Sequence, residues 1–290
     1  MRPSSLAGRA LLLAVLVMSG ASLFAQGTLE RVADRGEFRI GYRTDARPLS
    51  YEENGEAAGY SVDFCRRIAA AVREHLSLAE MLVTYIPLTT ENRIDAVVNG
   101  DVDIECGSTT VTLGRQELVD FTLMTFVTGG TVLSMADNRV ATMADLAGRR
   151  VAVIGGTTSA TALQAHLSDN LIDAEVIMVA NRREGMAQLN DGDVDGFASD
   201  QIVLVGEAMQ AIATDSNLSY SFADELFSFE PYAMMVQRND ADFRLVANRA
   251  IAQLFRGGQH ARLYQQWIGS VGISPSPMLL GMYQIQSLSE

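Results

Sequence analysis

Three arginines stand where the chain turns from one element into the next. Arg43 follows an apolar run in Gly41-Tyr42-Arg43-Thr44-Asp45, Arg93 opens a helical segment in Glu91-Asn92-Arg93-Ile94, and Arg115 follows the turn Gly107-Ser108-Thr109-Thr110-Val111-Thr112-Leu113-Gly114. A guanidinium presents a planar fork of N–H groups that grips a carboxylate through two parallel hydrogen bonds. Three such forks converging on one place would suit a ligand with more than one carboxylate. Gly107 lets the backbone approach a ligand closely, and the hydroxyls of Ser108 and Thr110 donate or accept. Taken singly, each arginine also fits a solvated surface, and the turn fits an ordinary polar turn.

Two further stretches carry chemistry. In Ala152-Val153-Ile154-Gly155-Gly156-Thr157-Thr158-Ser159 a strand runs through glycines into a helix, whose exposed amides make a seat for an anion. No lysine follows, so this is not a P-loop, and the glycine spacing does not fit a dinucleotide fingerprint. Thr157 or Thr158 serves equally as a plain helix cap. In Gly196-Phe197-Ala198-Ser199-Asp200 an apolar approach ends in an acid, and Asp200 either caps the helix from Gln201 or neutralises an ammonium. Asp200 is then the one acid of the expected cleft. With no Ser-His-Asp set, no supported cysteine-histidine pair and no paired catalytic carboxylates, neither an enzyme nor a cofactor is expected. Cys65 and Cys106 do not have zinc spacing, and His75, His166 and His260 are isolated, so no metal is expected either. The cysteines fit one disulfide or two buried thiols.

The elements that must position these residues alternate. Short apolar runs suited to buried strands fall at Phe38 to Tyr42, Met81 to Ile86, Val102 to Cys106, Thr131 to Met135, Val151 to Ile154, Glu175 to Val179 and Ala233 to Val236. Helical periodicity falls at Ser61 to Glu74, Thr158 to Leu167, Glu184 to Asn190, Gln201 to Ala213 and Ala241 to Leu254. Alternation of this kind predicts an α/β fold with mainly parallel sheets, and ligands collect outside the carboxyl ends of such strands. Two series, beginning near Phe38 and Val151, predict two lobes. The chain would cross out through Phe126 to Gly130 and back through Phe227 to Tyr232, a double hinge that favours closure on a ligand. The tail after Pro275 reads as irregular.

At the start, Arg2 and Arg9, the apolar run Ala10 to Val17 and a small-residue stretch ending at Ala25 predict a signal peptide over residues 1–25. The domain reading is therefore a first lobe from 26–127 and 230–290, with a second lobe over 128–229. The formal charge of −13 argues against nucleic acid and anionic lipid as partners, and every basic residue except histidine is an arginine.

The strings Gly59-Tyr60-Ser61-Val62-Asp63, Glu91-Asn92-Arg93-Ile94, Glu105-Cys106-Gly107-Ser108-Thr109-Thr110, Arg115-Gln116 and Gly156-Thr157-Thr158-Ser159 resemble the glutamate/aspartate-binding proteins of bacterial ABC importers, within solute-binding family 3. The likeness runs in order from about Thr28 to Gly269. It implies the type II two-lobe fold, each lobe a sheet flanked by helices and joined by two hinge strands. It also implies that Arg115 holds the α-carboxylate of the ligand, with Ser108 and Thr110 around its α-amino and carboxyl groups. Thr157 and Thr158 would close from the second lobe, and Asp200 would take the ammonium. Arg43, Thr90 and Arg93 match contacts to a side-chain carboxylate, and Arg182 stands where a well-known member has histidine. The implied protein is a periplasmic monomer that delivers L-glutamate or L-aspartate to an inner-membrane ABC permease. The alternatives are a module for another polar amino acid or dicarboxylate that reports to a chemoreceptor or sensor, and a dehydratase-like enzyme on the same fold. A chain ending at Glu290 with no kinase or membrane part favours the shuttle.

Overall fold

The computed structural model describes residues 26–289, so the expected signal peptide lies outside the described residues. The strands are β1 (Glu37–Arg43), β2 (Asp45–Ala46), β3 (Ser50–Glu53), β4 (Glu56–Ala58), β5 (Leu82–Leu88), β6 (Ile104–Cys106), β7 (Val119–Thr128), β8 (Gly130–Met135), β9 (Arg150–Ile154), β10 (Glu175–Val179), β11 (Gly196–Asp200), β12 (Tyr220–Phe222) and β13 (Glu230–Gln237). The helices are α1 (Thr28–Arg35), α2 (Tyr60–His75), α3 (Arg93–Val98), α4 (Leu113–Gln116), α5 (Thr158–Asp169), α6 (Arg182–Asn190), α7 (Gln201–Thr214), α8 (Ala241–Arg256), α9 (Gln259–Trp267) and α10 (Pro277–Ile285).

Two five-stranded sheets form, in the orders β5-β1-β6-β13-β7 and β10-β9-β11-β8-β12. Each has a parallel half built by strand-helix-strand units, β1 with β5 and β6 in one and β9 with β10 and β11 in the other. The antiparallel half of each comes from strands at or next to the crossings, so the sheets are more evenly mixed than alternation alone suggests. Phe38 and Ile40 on β1 are fully buried beneath α2 and α8, with Phe38 edge-on to Phe243 at 5.8 Å. Burying an aromatic or aliphatic side chain of this size stabilises the fold by about 1.5–3 kcal/mol.

The two crossings lie side by side. β7 passes through Gly129 into β8, while β13 begins at Glu230, opposite Thr128 of β7. Phe227 N donates to Gly130 O at 2.9 Å and Gly130 N donates to Ser228 Oγ at 3.0 Å, which ties the outgoing and returning segments together. The connection expected over Phe126 to Gly130 begins as the end of the long strand β7, whose first part the apolar runs do not mark. Its residues Val119 to Thr128 lack the glycine and proline punctuation that would have broken it.

α7 packs into both cores: Ile202 and Val203 join the core under the first sheet, and Leu204 and Ala208 join the core under the second. Its Gly206 lies against the β2–β3 hairpin so closely that a Cβ there would sit 2.3 Å from Arg47 O. Cys65 on α2 and Cys106 at the end of β6 form a disulfide, which settles the choice left open by their count.

The C-terminal segment corrects the expectation of an irregular tail. α10 runs from Pro277, its N-terminus capped by Ser276 Oγ accepting from Leu279 N at 3.1 Å. Proline at the first helical position loses no hydrogen bond, and its φ is already helical. Leu279, Met282 and Tyr283 are buried, and the Tyr283 hydroxyl meets that of Tyr60 at 2.8 Å.

Candidate functional site

All ten residues singled out in the sequence line one cavity of about 20 Å3 between the two sheets: Arg43, Thr90, Arg93, Ser108, Thr110, Arg115, Thr157, Thr158, Arg182 and Asp200. Ser159 and Ser199 line it too. They meet because each closes a strand, starts a helix or lies in a turn beside one, at the carboxyl ends of the parallel strands.

On the first-sheet side, Arg43 is the last residue of β1, and its backbone N donates to Ser50 Oγ at 2.9 Å. Its guanidinium donates to Thr90 Oγ1 at 2.8 Å and to Asp45 Oδ1 at 2.6 Å. Arg93 opens α3 and donates back to the Thr90 carbonyl. The loop ahead of it is fixed by reciprocal bonds between Thr89 and Asn92, at 2.8 Å and 3.3 Å. Arg115 sits in α4, whose cap is Thr112, and donates to the Thr110 carbonyl at 2.7 Å. Thr110 Oγ1 donates to Glu230 Oε2 at 2.5 Å.

Arg43 and Arg93 are almost wholly buried. Burial, and then the charges of neighbouring arginines, lower both pKa values, that of Arg93 to about 10. Burial also lowers that of Arg115. These guanidiniums nonetheless carry their charge at neutral pH. The Nε groups of Arg43, Arg93 and Arg182 have no hydrogen-bond partner among the described residues. Buried N–H groups left in this state are costly, and an incoming carboxylate would satisfy them.

Beneath the first-side arginines lies Glu105, fully buried in β6. Burial raises its pKa, opposed by the charges of Arg93, Arg43 and Arg115. Gly107 makes this packing possible, since a Cβ there would lie 2.1 Å from Glu105 Oε1 and 2.9 Å from Arg43 Cγ.

On the second-sheet side, Thr157 caps α5 by accepting from Ala160 N at 3.1 Å and donates to Ile154 O at 2.7 Å. Thr158 is thereby left to face the other sheet, where its Oγ1 donates to Glu230 Oε2 at 2.8 Å and lies 3.2 Å from Thr110 Oγ1. Arg182 opens α6 behind its cap Asn181 and pairs with Asp45 Oδ1 at 3.1 Å. Burial would lower the Arg182 pKa, but Asp45, Glu207 and Asp200 outweigh it and raise it.

Asp200 occupies the N-cap position of α7 without capping it, which corrects one of the two roles expected for it. Its oxygens are taken instead by Ser159 Oγ at 2.7 Å and by a short hydrogen bond from the Tyr232 hydroxyl. Burial and the neighbouring charge of Glu230 raise the Asp200 pKa.

Asp200 is the one acid among the described residues that line the cavity, while Glu105, Glu230 and Asp45 stand behind the lining and contact or neutralise its residues. Glu105 reads as part of an apolar strand and Glu230 as hinge sequence between Phe229 and Pro231. Only the pairing of β13 with β7 and its bridge to Thr110 brings Glu230 to the site.

Residues 38–270 match the model of the bacterial extracellular solute-binding proteins, family 3. The chain is 34% identical over 243 residues to the L-glutamate/L-aspartate-binding protein of Pseudomonas aeruginosa, covering 83% of this chain and 80% of that one. It is 31% identical over 244 residues to the glutamate/aspartate import solute-binding protein of Salmonella typhimurium, covering 84% and 80%. Among solved structures it superimposes with a TM-score of 0.69 and 26% identity on the ancestral amino acid-binding protein AncCDT-1, a precursor of cyclohexadienyl dehydratase, covering 83% and 99%.

Proposed function

The chain belongs to the bacterial extracellular solute-binding proteins, family 3, and from that premise we propose that it captures L-glutamate or L-aspartate for an ABC importer. The fold is the type II binding-protein fold shared with amino-acid-binding structures. The observation that carries the ligand is the convergence of Arg43, Arg93, Arg115 and Arg182 on one cavity that also holds Asp200. Arginines answer carboxylates and the aspartate answers an ammonium, so a zwitterion with an additional carboxylate matches both signs.

In this reading Arg115 takes the α-carboxylate, Ser108 and Thr110 flank it, and Asp200 takes the ammonium. Arg43, Thr90 and Arg93 receive the side-chain carboxylate, while Thr157, Thr158 and Arg182 complete the enclosure from the opposite side. A space of about 20 Å3 holds little more than a water molecule. Entry of an amino acid therefore requires the two sides to part about the paired crossings, and closure then excludes water and strengthens each ionic contact. The protein works as an exported, periplasmic monomer that hands its ligand to an inner-membrane permease.

Calorimetric titration of the purified protein with L-glutamate, L-aspartate and L-glutamine tests the ligand class. Saturable binding of either acid, tighter than glutamine by about tenfold or more, is expected from charge-assisted bonds to the side chain. Glutamine binding as tightly as both acids would overturn the assignment. Loss of uptake without loss of chemotaxis in a strain lacking the protein would support transport over sensing, and the converse would favour a receptor partner.

A further inference from the structure

Asp45 lies outside the cavity and yet holds two of its arginines. Its Oδ1 pairs with Arg43 at 2.6 Å, from the first-sheet side, and with Arg182 at 3.1 Å, from the second. Arg43 and Arg182 line the inner cavity of about 20 Å3, and Asp45 does not. Asp45 lines instead a cleft of about 660 Å3 that it shares with Arg43, and a groove of about 400 Å3 that it shares with Arg182. The chain Arg43–Asp45–Arg182 is thus the partition between a small inner chamber and a large outer one.

The partition is held by charge. Arg43 and Arg182 are buried and their like charges oppose each other, while the partly exposed Asp45 carboxylate draws both together. Removing one member of such a set leaves uncompensated buried charge, so the remaining groups move apart or admit a new anion. The side chain of a ligand anchored at Arg115 would extend toward this wall.

We infer that Asp45 is a specificity-determining residue that limits ligand length, by bracing Arg43 and Arg182 as the end wall of the site. The inference rests on the assignment of an acidic amino acid to the cavity. With the wall intact, single amino acids with a short acidic side chain fit, and the same acids extended at the side-chain carboxyl are rejected. Without Asp45 the inner chamber joins the outer cleft, and extended γ-glutamyl compounds gain a path through it. This is discrimination by an obstacle to the wrong ligand rather than by a contact with the right one.

The test is calorimetry of wild type, Asp45→Asn and Arg182→Gln with L-glutamate, L-aspartate and γ-L-glutamylglycine. The second variant cuts the same bridge from the other sheet, so the inference stays testable if one variant fails to fold. Wild type should bind the acids and discriminate against γ-L-glutamylglycine. The ratio of the γ-L-glutamylglycine to the L-glutamate dissociation constant should fall by about tenfold or more in either variant, the scale of a steric specificity element. An unchanged ratio in a folded variant, or a wild type that accepts γ-L-glutamylglycine as readily as L-glutamate, would overturn the length filter alone. A wild type that binds neither acid would overturn the assignment on which the filter rests.

Discussion

The two walls of the cavity are built on different principles. The first-sheet wall is charged: Arg43, Arg93 and Arg115 stand over the buried Glu105, burial lowers all three arginine pKa values, and a disulfide follows directly at Cys106. The second-sheet wall is mostly neutral, a capped helix start with Thr157, Thr158 and Ser159, plus Asp200 satisfied by two hydroxyls and Arg182 held by Asp45. Stored electrostatic energy therefore sits mainly on one side, and hydrogen-bond geometry on the other. In a two-sided closing site this assigns affinity chiefly to the first wall and enclosure to the second.

The largest expected effect is on the staple of the charged wall. Cys65 and Cys106 are 41 residues apart, and opening a loop of this length costs about 4 kcal/mol in the chain-entropy account. Denaturant unfolding of the Cys65→Ser/Cys106→Ser double variant should show a loss of this order. A loss below about 1 kcal/mol would show that the wall does not depend on its staple.

Next come the walls themselves. Arg115→Ala should raise the dissociation constant for the acidic ligand at least about tenfold, corresponding to roughly 1.5–3 kcal/mol for a charged hydrogen bond. Thr158 Oγ1 is spent on Glu230 rather than on the ligand, so Thr158→Val should cost about 1 kcal/mol or less in binding. Equal losses measured by calorimetry would break the division between an affinity wall and an enclosing wall.

The smallest effect lies at the edge of the second wall. Burial raises the Glu207 pKa from 4.5 to about 7, against the pull of Arg182. A raised folded-state pKa favours the protonated form, so this stability is present below about pH 4.5 and is lost as pH rises through about 7. Glu207→Gln should therefore gain on wild type across that window and hold a constant advantage above it. A flat difference in melting temperature between pH 4 and 8 would show that Glu207 is not buried as charged when the site is closed.

The sequence discloses unequal shares of this architecture. Strands such as Arg150–Ile154 are legible because side chains on both faces are buried and turn residues bound them. The tail misled because Ser276-Pro277 is at once a breaker and a helix start, and only the buried partners of Leu279 and Tyr283 decide which. Eight of the ten cavity residues are legible because strand ends, turns and helix starts place them from local sequence, whereas Thr90 and Arg182 come from the family resemblance alone. Glu105, Glu230, Tyr232 and Asp45 escape, since each owes its role to a partner many residues away or on the other sheet. Local pattern locates the donors; which acids balance them is a long-range property.

The central claim is that the cavity accepts an acidic amino acid, and a thermal-shift screen of the purified protein against the standard amino acids tests it most directly. A ligand that binds only the folded form stabilises it by mass action, by about 2.7 kcal/mol at one hundred times its dissociation constant. L-glutamate or L-aspartate should raise the melting temperature most, with neutral and basic amino acids well behind. A basic or apolar amino acid giving the largest shift would contradict the account.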